Sequence, residues 1–405
     1  MGPSTQFCPN FYCLHRGKAG LGNIRVHSQK ERRFRCTTCA KTCAASRNTA
    51  YYRLHKSLDL VTLVLTLLCH GCPRQAVVAA YGLDERTVAD WQQRAGRHSR
   101  RFHELHVQQG RVDVQHVQAD ELWAEVLGRR LWVAMALAVP SRLWLGGAVS
   151  RRRDGALIAA VVRMVRSCAS SLAMLVCVDG LASYVTAFAQ GFRHKLPRDG
   201  CAGRPRLLVE PGLLIGQVIK RYRGRRVVDV TRRVARGSAA AVAAVRARTG
   251  TGTGINTAYI ERLNATFRGR WAPLVRRGRA LVRERCAEAG RWLVGCAYNF
   301  CWEHDSLRVS APASGPPTAA PPATAAPDRD IAGPALGSMI TVAWGTTQRA
   351  ACDGTEDVLS RRKSTGQDAQ GRRLHFSGPV GAAHGRTLVR GAGSVLPPAA
   401  PRFVG

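Results

Sequence analysis

The chain has 405 residues, of which 45% are hydrophobic, and its 61 Lys and Arg residues far exceed its 26 Asp and Glu residues. A formal net charge of +35 at pH 7 favours a polyanionic partner, with nucleic acid first and an anionic membrane surface second. Basic residues are spread along the whole chain, which argues against the membrane surface. The apolar run 58–68 is too short to cross a bilayer and no secretory signal is visible, so we expect a cytoplasmic protein.

The first 50 residues are polar and rich in cysteine. Cys8 and Cys13 lie in CPNFYC, and Cys36 and Cys39 lie in FRCTTC. In a reducing compartment such pairs are better explained as metal ligands than as disulfides. Two close pairs separated by a basic loop predict a zinc ribbon over residues 5–50, with Zn²⁺ as a structural cofactor. Other ligands remain possible nearby: Cys43, His15 and His27.

Residues 54–106 have the pattern of helices. The run LHKSLDLVTLVLTLLCHG predicts an apolar helix that ends at Gly71, and two shorter helices follow around a turn at Gly82. Pro73 suits the first turn of the middle helix and Asp84 the N-cap of the next. This arrangement is typical of a helix-turn-helix, and a plain helical hairpin is the alternative. On the last helix we predict these exposed DNA contacts: Arg86, Thr87, Gln92, Gln93 and Arg94.

From residue 111 onward the pattern mixes strands and helices. Alternation over 113–126 predicts a strand that contains Asp120, and LWVAMALAV and RLWLGGAVS predict a hairpin after it. A helix over 154–167 then leads to the apolar strand LAMLVCV, which ends next to Asp179. Three strands, a helix, a strand and later helices form the order of an RNase H-like core, an α/β fold with a mixed sheet and flanking helices. In that core the two aspartates lie side by side at the ends of adjacent strands.

A later helix is predicted to carry Glu261, after a helix over 183–192, the basic segment KRYRGRRVVDVTRRV and a Gly/Thr-rich loop. Asn256 or Thr257 can cap this helix. Glu261, Asn264 and Arg268 then share one face at i, i+3 and i+7, where an amide and a guanidinium beside a carboxylate suit contacts with a metal and with DNA.

Asp120, Asp179 and Glu261 together predict a metal-binding carboxylate triad. Phosphodiester chemistry by in-line displacement uses two divalent cations, and Mg²⁺ or Mn²⁺ prefers oxygen ligands. Individually, each residue could instead cap a turn or form an ion pair. Glu121 is a weaker candidate for the first ligand, because alternation along a strand points it away from Asp120. Replacements for the glutamate, without its helical Asn and Arg neighbours, would be Asp229 and Glu210.

Composition changes sharply after Arg308. The stretch SAPASGPPTAAPPATAAP cannot form a core, and the remainder up to Gly405 has little periodicity. We therefore predict a disordered tail over 309–405.

Several motifs together resemble bacterial DDE transposases of the insertion-sequence-one type. They are YYRLHKS after the cysteine-rich start, DELW at Asp120, VDGLASY at Asp179, INTAYIERLNATFRGR at Glu261, and GCAYNFCWEHDSLR after it. The resemblance covers about residues 5–308. The long tail departs from the family pattern, and it raises the alternative of an inactive copy.

The resemblance implies an RNase H-like catalytic domain over 111–308 that nicks the ends of a mobile element and joins them to target DNA. It implies that the zinc ribbon and the helix-turn-helix bind the terminal inverted repeats. It also implies Mg²⁺ or Mn²⁺ at the triad, a homo-oligomer on double-stranded DNA, and a location at the nucleoid. A non-catalytic DNA-binding regulator and a nuclease that cuts without joining are the alternative functions.

Overall fold

A computed structural model describes residues 2–47, 49–126, 128–196, 204–224, 226–274, 284–309 and 318–320. The chain divides into two units, Met1–Glu356 and Asp357–Gly405. The second unit lies outside the described residues, as does the predicted disordered tail except for residues 309 and 318–320.

The N-terminal segment folds as a small antiparallel sheet. After a 3-10 turn at Pro3–Thr5 come β1 (Ile24–Ser28), β2 (Arg33–Cys36) and β3 (Thr42–Ala44), in the order β1-β2-β3. Its buried core consists of two apolar residues and four cysteines: Ile24, Phe34, Cys8, Cys13, Cys36 and Cys43. So small an apolar core cannot hold a segment folded unaided, and it calls for a further crosslink.

Three helices follow: α1 (Leu58–Cys69), α2 (Arg74–Tyr81) and α3 (Glu85–His106). The predicted N-cap is confirmed, since an Asp84 carboxylate oxygen accepts the N–H groups of Arg86 and Thr87 at 2.8 and 3.1 Å. Gly82 makes the turn before α3 with a left-handed φ of 58°, which glycine adopts without strain. Helix α3 has 22 residues, and it is longer than the sequence predicts.

The remaining elements form an α/β region. In chain order they are β4 (His116–Val126), β5 (Arg129–Ala138), β6 (Trp144–Ser150), α4 (Gly155–Cys168), β7 (Met174–Asp179), α5 (Ala182–Gly191), β8 (Arg193–Leu196), β9 (Arg206–Val209), β10 (Leu213–Arg223), β11 (Arg226–Arg236), α6 (Ala239–Arg248), α7 (Ala258–Arg270), a 3-10 turn at Ala272–Leu274, α8 (Glu284–Phe300), β12 (His304–Val309) and β13 (Thr318–Ala320).

A six-stranded mixed sheet organises this region, in the order β11-β10-β7-β4-β5-β6. Strands β4, β5 and β6 are antiparallel neighbours, whereas β7 runs parallel to β4 and β10 runs parallel to β7. The mixed α/β class is confirmed, together with the predicted hairpin, α4, β7, α5 and α7. Strands β10 and β11 and helix α6 were not predicted. The basic segment KRYRGRRVVDVTRRV, to which the sequence assigned no secondary structure, contributes the end of β10 and most of β11.

Helices cover both faces of the sheet. Helices α4 and α5 pack on one face through Val161 and Phe188, and α6 and α7 pack on the other through Val242 and Leu263. Helix α3 packs closely on α8, because a Cβ at Gly96 would lie only 2.4 Å from the Ala289 carbonyl oxygen. Residues from α1, α3 and α8 belong to one buried cluster with the sheet. Among the described helices, none has the length and apolar character that a membrane span requires.

Candidate active site

Two aspartates lie together where parallel strands β4 and β7 are neighbours. Ala119 is opposite Val178 in the register, so Asp120 and Asp179 are the next residues of their strands. One Asp120 carboxylate oxygen accepts the Glu121 N–H at 2.8 Å, and the other accepts Asn264 Nδ2 at 2.8 Å. An Asp179 oxygen accepts the Leu181 N–H at 3.0 Å. The predicted juxtaposition of these two carboxylates is confirmed.

Gln118 fixes α7 to β4. Its Oε1 accepts the N–H groups of Tyr259 and Ile260, both at 3.0 Å, and its Nε2 donates to the Asn256 carbonyl oxygen at 2.8 Å. The first turn of a helix has unpaired N–H groups, and here the buried strand residue satisfies two of them. Thr257, the N-cap residue, makes no side-chain cap bond. This clamp places α7, and Glu261 with it, beside Asp120.

Glu261 lines the same cleft as the two aspartates, a cavity of about 730 Å³. Its Oε1 accepts Lys220 Nζ at 2.5 Å and Thr257 Oγ1 at 2.7 Å. Arg153, Tyr222, Asn264 and Arg268 also line the cleft. The structure therefore gathers all three predicted carboxylates around one cavity, with the glutamate held by a lysine.

Glu121 is closer to the aspartates than the alternation rule predicts. Its side chain is fully buried, and Oε1 accepts Arg153 Nε at 3.1 Å. Arg153 also lies 3.6 Å from an Asp179 oxygen. Ligand atoms of Asp120, Glu121 and Asp179 all fall within 4.8 Å of one another. Glu121 is thus a second candidate for the third carboxylate, beside Glu261.

The electrostatics of this cluster favour a bound cation. Burial, together with the charges of Asp179, Glu121 and Glu261, raises the pKa of the Asp120 carboxyl to about 7, against the lowering effect of the Glu121 N–H bond. Burial, with the charge of Asp179, also raises the pKa of Glu121. Like charges this close resist simultaneous ionisation. A divalent cation would relieve that repulsion, and clustered carboxylate oxygens are the donors that Mg²⁺ or Mn²⁺ prefers.

The predicted DNA contacts differ in exposure. Asn264 is buried against Asp120, so it orients that carboxylate, while Arg268 is exposed at the cleft. Arg86 is exposed and Thr87 is half-buried on α3. The half-buried side chains of the next turn contact other parts of the protein. Gln92 lines a small pocket with Gly290, and Gln93 donates a hydrogen bond to Cys286 Sγ. Arg94 pairs with Asp90 and donates to the Tyr52 carbonyl oxygen.

Neither alternative acid lines the cleft. Asp229 lies on β11 and accepts a hydrogen bond from Thr231 Oγ1 at 3.1 Å. Glu210 lies 3.5 Å from His194 Nδ1 after β9. Of the four candidates for the third carboxylate, only Glu261 and Glu121 therefore lie near the two aspartates.

The four predicted zinc ligands converge in the N-terminal sheet. Cys8 and Cys39 have Sγ atoms 3.5 Å apart, and Cys13 and Cys36 have Sγ atoms 3.8 Å apart. All four sulfurs lie within 4.8 Å of one another. A tetrahedral site with Zn–S bonds of about 2.3 Å places its sulfurs about 3.8 Å apart. A buried four-cysteine cluster that could bind zinc is therefore present.

The open alternatives for zinc stay outside this cluster. His15 Nδ1 lies 2.9 Å from Thr38 Oγ1. Cys43 is buried in the same core, where burial raises the pKa of its thiol, but it is not one of the four clustered sulfurs. Burial would also raise the pKa of Cys39, yet hydrogen bonds led by that from Asn10 lower it to about 6. Thiolate character at neutral pH suits a metal ligand.

Sequence reasoning missed Lys220, Arg153 and Tyr184. Lys220 opens the basic segment, Arg153 lies in the RRRD turn after β6, and Tyr184 is buried on α5 beneath the carboxylates. Burial, together with the charges of the nearby carboxylates, raises the pKa of Tyr184. The apolar run before Lys220 was the available signal for a strand that passes the site.

No model of a known protein family matches the chain. No curated protein matches it either.

Proposed function

We propose that this protein is a DDE-type DNA transposase with an RNase H-like catalytic core. The observation that carries the proposal is the pairing of Asp120 and Asp179 at adjacent positions of parallel strands, with Glu261 on α7 lining the same cleft. Sheet order supports it as well, because three antiparallel strands are followed by a helix and a parallel strand beside the first. The net charge of +35 suits a DNA substrate.

The carboxylates would hold Mg²⁺ or Mn²⁺, and the bound cations would activate the attacking oxygen and stabilise the leaving oxygen. The chain's own residues prepare the site. Asn264 and the Glu121 N–H fix both oxygens of Asp120, and the Leu181 N–H fixes Asp179. Lys220 pairs with Glu261 and holds this carboxylate at the cleft. Arg268, exposed at the rim, binds a DNA phosphate.

The N-terminal part is proposed to recognise DNA ends. A zinc-bound ribbon and the turn between α2 and α3 form the end-binding region, with Arg86 and Thr87 as its best-placed contacts. Gln92, Gln93 and Arg94 belong to the same predicted set, but they are weaker contributors because Gln92 lines a small pocket, and Gln93 and Arg94 bond Cys286 and Asp90 within the protein. We propose that the working form is a homo-oligomer on the inverted repeats.

The test is strand transfer by the purified zinc-loaded full chain. Labelled duplexes would carry the DNA that flanks the coding sequence, and Mg²⁺ or Mn²⁺ would be added. We expect nicked and joined products from the intact chain and none from Asp120→Asn or Asp179→Asn. Loss with Glu261→Gln but not Glu121→Gln would identify the third ligand. Glu210→Gln, an acid outside the cleft, is the matched control and should stay active.

The outcomes separate the alternative functions. Cutting without joining would favour a nuclease. DNA binding without cutting, unaffected by the aspartate substitutions, would favour a regulator and contradict the proposal. An inactive full chain that becomes active when truncated after Arg308 would locate the defect in the tail.

A further inference from the structure

Strands β10 and β11 extend, along their own direction, beyond the end of the six-stranded sheet. Strand β7 pairs with β10 only as far as Val218, which is opposite Asp179. Beyond that point Ile219 to Arg223 pair with β11 alone, from Thr231 back to Arg226. Residues 219–224 and 226–231 therefore form a two-stranded arm, which we call the basic ribbon.

Solvent reaches both faces of the basic ribbon. On β10 the successive residues Arg221, Tyr222 and Arg223 are all exposed, Tyr222 by 61%, and Val227, opposite Tyr222, is 47% exposed. Successive residues of a strand point to opposite faces. A strand packed on a core would bury one of them, so this arm has no covering layer among the described residues.

The ribbon begins at the cleft. Ile219, Lys220 and Tyr222 line the cavity that contains the carboxylates, and Lys220 pairs with Glu261. Since β10 runs parallel to β7, the arm projects from the sheet end that bears Asp179. A ligand long enough to leave the cleft at this end meets the ribbon.

Its charge is strongly positive. One face brings together Arg221 opposite Asp229, and Arg223 opposite Arg226. Asp229 is the one acid among the described ribbon residues, and its side chain accepts from Thr231. Arg221, Arg223 and Arg226 are exposed, and they form no ion pair within the described part of the chain. Unpaired guanidinium groups on a narrow arm suit the spaced phosphates of a nucleic acid.

We propose that the basic ribbon is a second DNA-contact surface, which grips the phosphate backbone of the duplex beside the phosphodiester in the cleft. The identification of DNA rests on the proposed function. Arg221, Arg223 and Arg226 are the phosphate contacts. This surface supplies affinity without sequence information, unlike the end-binding region.

The test measures DNA binding without chemistry. Affinity of the zinc-loaded full chain for a short labelled duplex would be measured by fluorescence anisotropy over a salt series, with no Mg²⁺ or Mn²⁺ added. Changing Arg221, Arg223 and Arg226 to Ala should weaken binding about tenfold or more. It should also reduce the slope of log affinity against log salt by about 2 to 3, since each phosphate contact contributes about 0.9.

Two variants control for charge and folding. The control changes Arg163, Arg206 and Arg248 to Ala, three exposed arginines on α4, β9 and α6. Arg248 bonds Gln115, next to the opposite end of β4. This variant should keep most of the salt slope. Changing the ribbon arginines to Lys should restore most of the affinity.

Equal losses in the ribbon and control variants would overturn the proposal, because they would show a net-charge effect. So would unchanged DNA affinity combined with lost binding to phosphatidylserine vesicles, which would assign the arm to a membrane. A ribbon-specific loss in a chain that cuts no DNA would leave this inference standing and reject only the transposase activity.

Discussion

Single side chains in this protein connect the sheet to the helices that complete the site. Gln118 ties the first turn of α7 to β4, and Asn264 returns from α7 to Asp120. Together they fix the glutamate-bearing helix against the strand that carries the first aspartate. His103 has a comparable role away from the cleft, where its buried ring bonds the Leu145 carbonyl oxygen at 3.2 Å.

His103 gives the fold a pH dependence. Burial lowers its pKa to about 3, and the charge of Arg291 acts in the same direction against the Leu145 bond. The unfolded ring has a pKa of about 6.5, so between these values only the unfolded state binds the proton. Stability from this residue is therefore complete above about pH 6.5 and is lost as pH falls toward 3, by about 1.4 kcal/mol per pH unit.

We predict that His103→Gln, which keeps a donor for Leu145, removes that dependence. Urea unfolding of both proteins at several pH values below 7 would show a shallower decline of the unfolding free energy in the variant. His116, whose pKa burial lowers to about 4, titrates equally in both and cancels in the comparison. If the unfolding free energies of the two proteins declined in parallel, His103 would bind its proton in the folded state as readily as in the unfolded state, which would contradict the lowered pKa.

At the scale of elements, two features hold parts of the fold together: the close packing of α3 on α8 and the four-cysteine cluster of the N-terminal sheet. Helix α3 meets α8 where Gly96 faces Ala289. The N-terminal sheet has almost no apolar core beyond Ile24 and Phe34. The contact between α3 and α8 depends on the absence of a side chain at Gly96. The N-terminal sheet depends on its four clustered cysteine sulfurs.

Gly96→Ala should destabilise the protein by about 1–3 kcal/mol, because the new methyl would overlap the Ala289 backbone and push α3 from α8. Gly269→Ala is the matched control. A Cβ there meets nothing within 4 Å, so it should stabilise α7 by about 0.5–1 kcal/mol through helix propensity. Urea unfolding free energies of the two variants should therefore change in opposite directions. A neutral Gly96→Ala would contradict the described packing.

Zinc removal tests the N-terminal sheet. We expect about one Zn²⁺ per chain by elemental analysis, lost in Cys36→Ser and retained in Cys43→Ser, because only the first sulfur belongs to the cluster of four. Loss of the metal should open β1 to β3 to proteolysis. Equal zinc loss in both variants would show that Cys43 is also a ligand.

At the scale of the whole molecule, the hydrophobic periodicity of the sequence predicted strands β4 to β7 of the central sheet, but it did not predict β10 and β11. Strands β4 to β7 are buried, so their alternation or apolar runs were readable, and the neighbouring aspartates followed from strand order. Strand β11 is mostly exposed, with Val230, Val234 and Arg236 half-buried, so KRYRGRRVVDVTRRV carries only a weak burial pattern. The Lys220–Glu261 and Glu121–Arg153 pairs join distant segments, and no local pattern encodes them.

Mn²⁺ binding to the zinc-loaded full chain, measured by calorimetry, tests the carboxylate site between β4 and β7 most directly. We predict about two Mn²⁺ per chain, with binding lost or strongly weakened in Asp120→Asn and Asp179→Asn and unchanged in Glu210→Gln. Zinc content should stay constant throughout. Absence of Mn²⁺ binding, or binding that survives both aspartate substitutions, would contradict a metal-dependent site between β4 and β7.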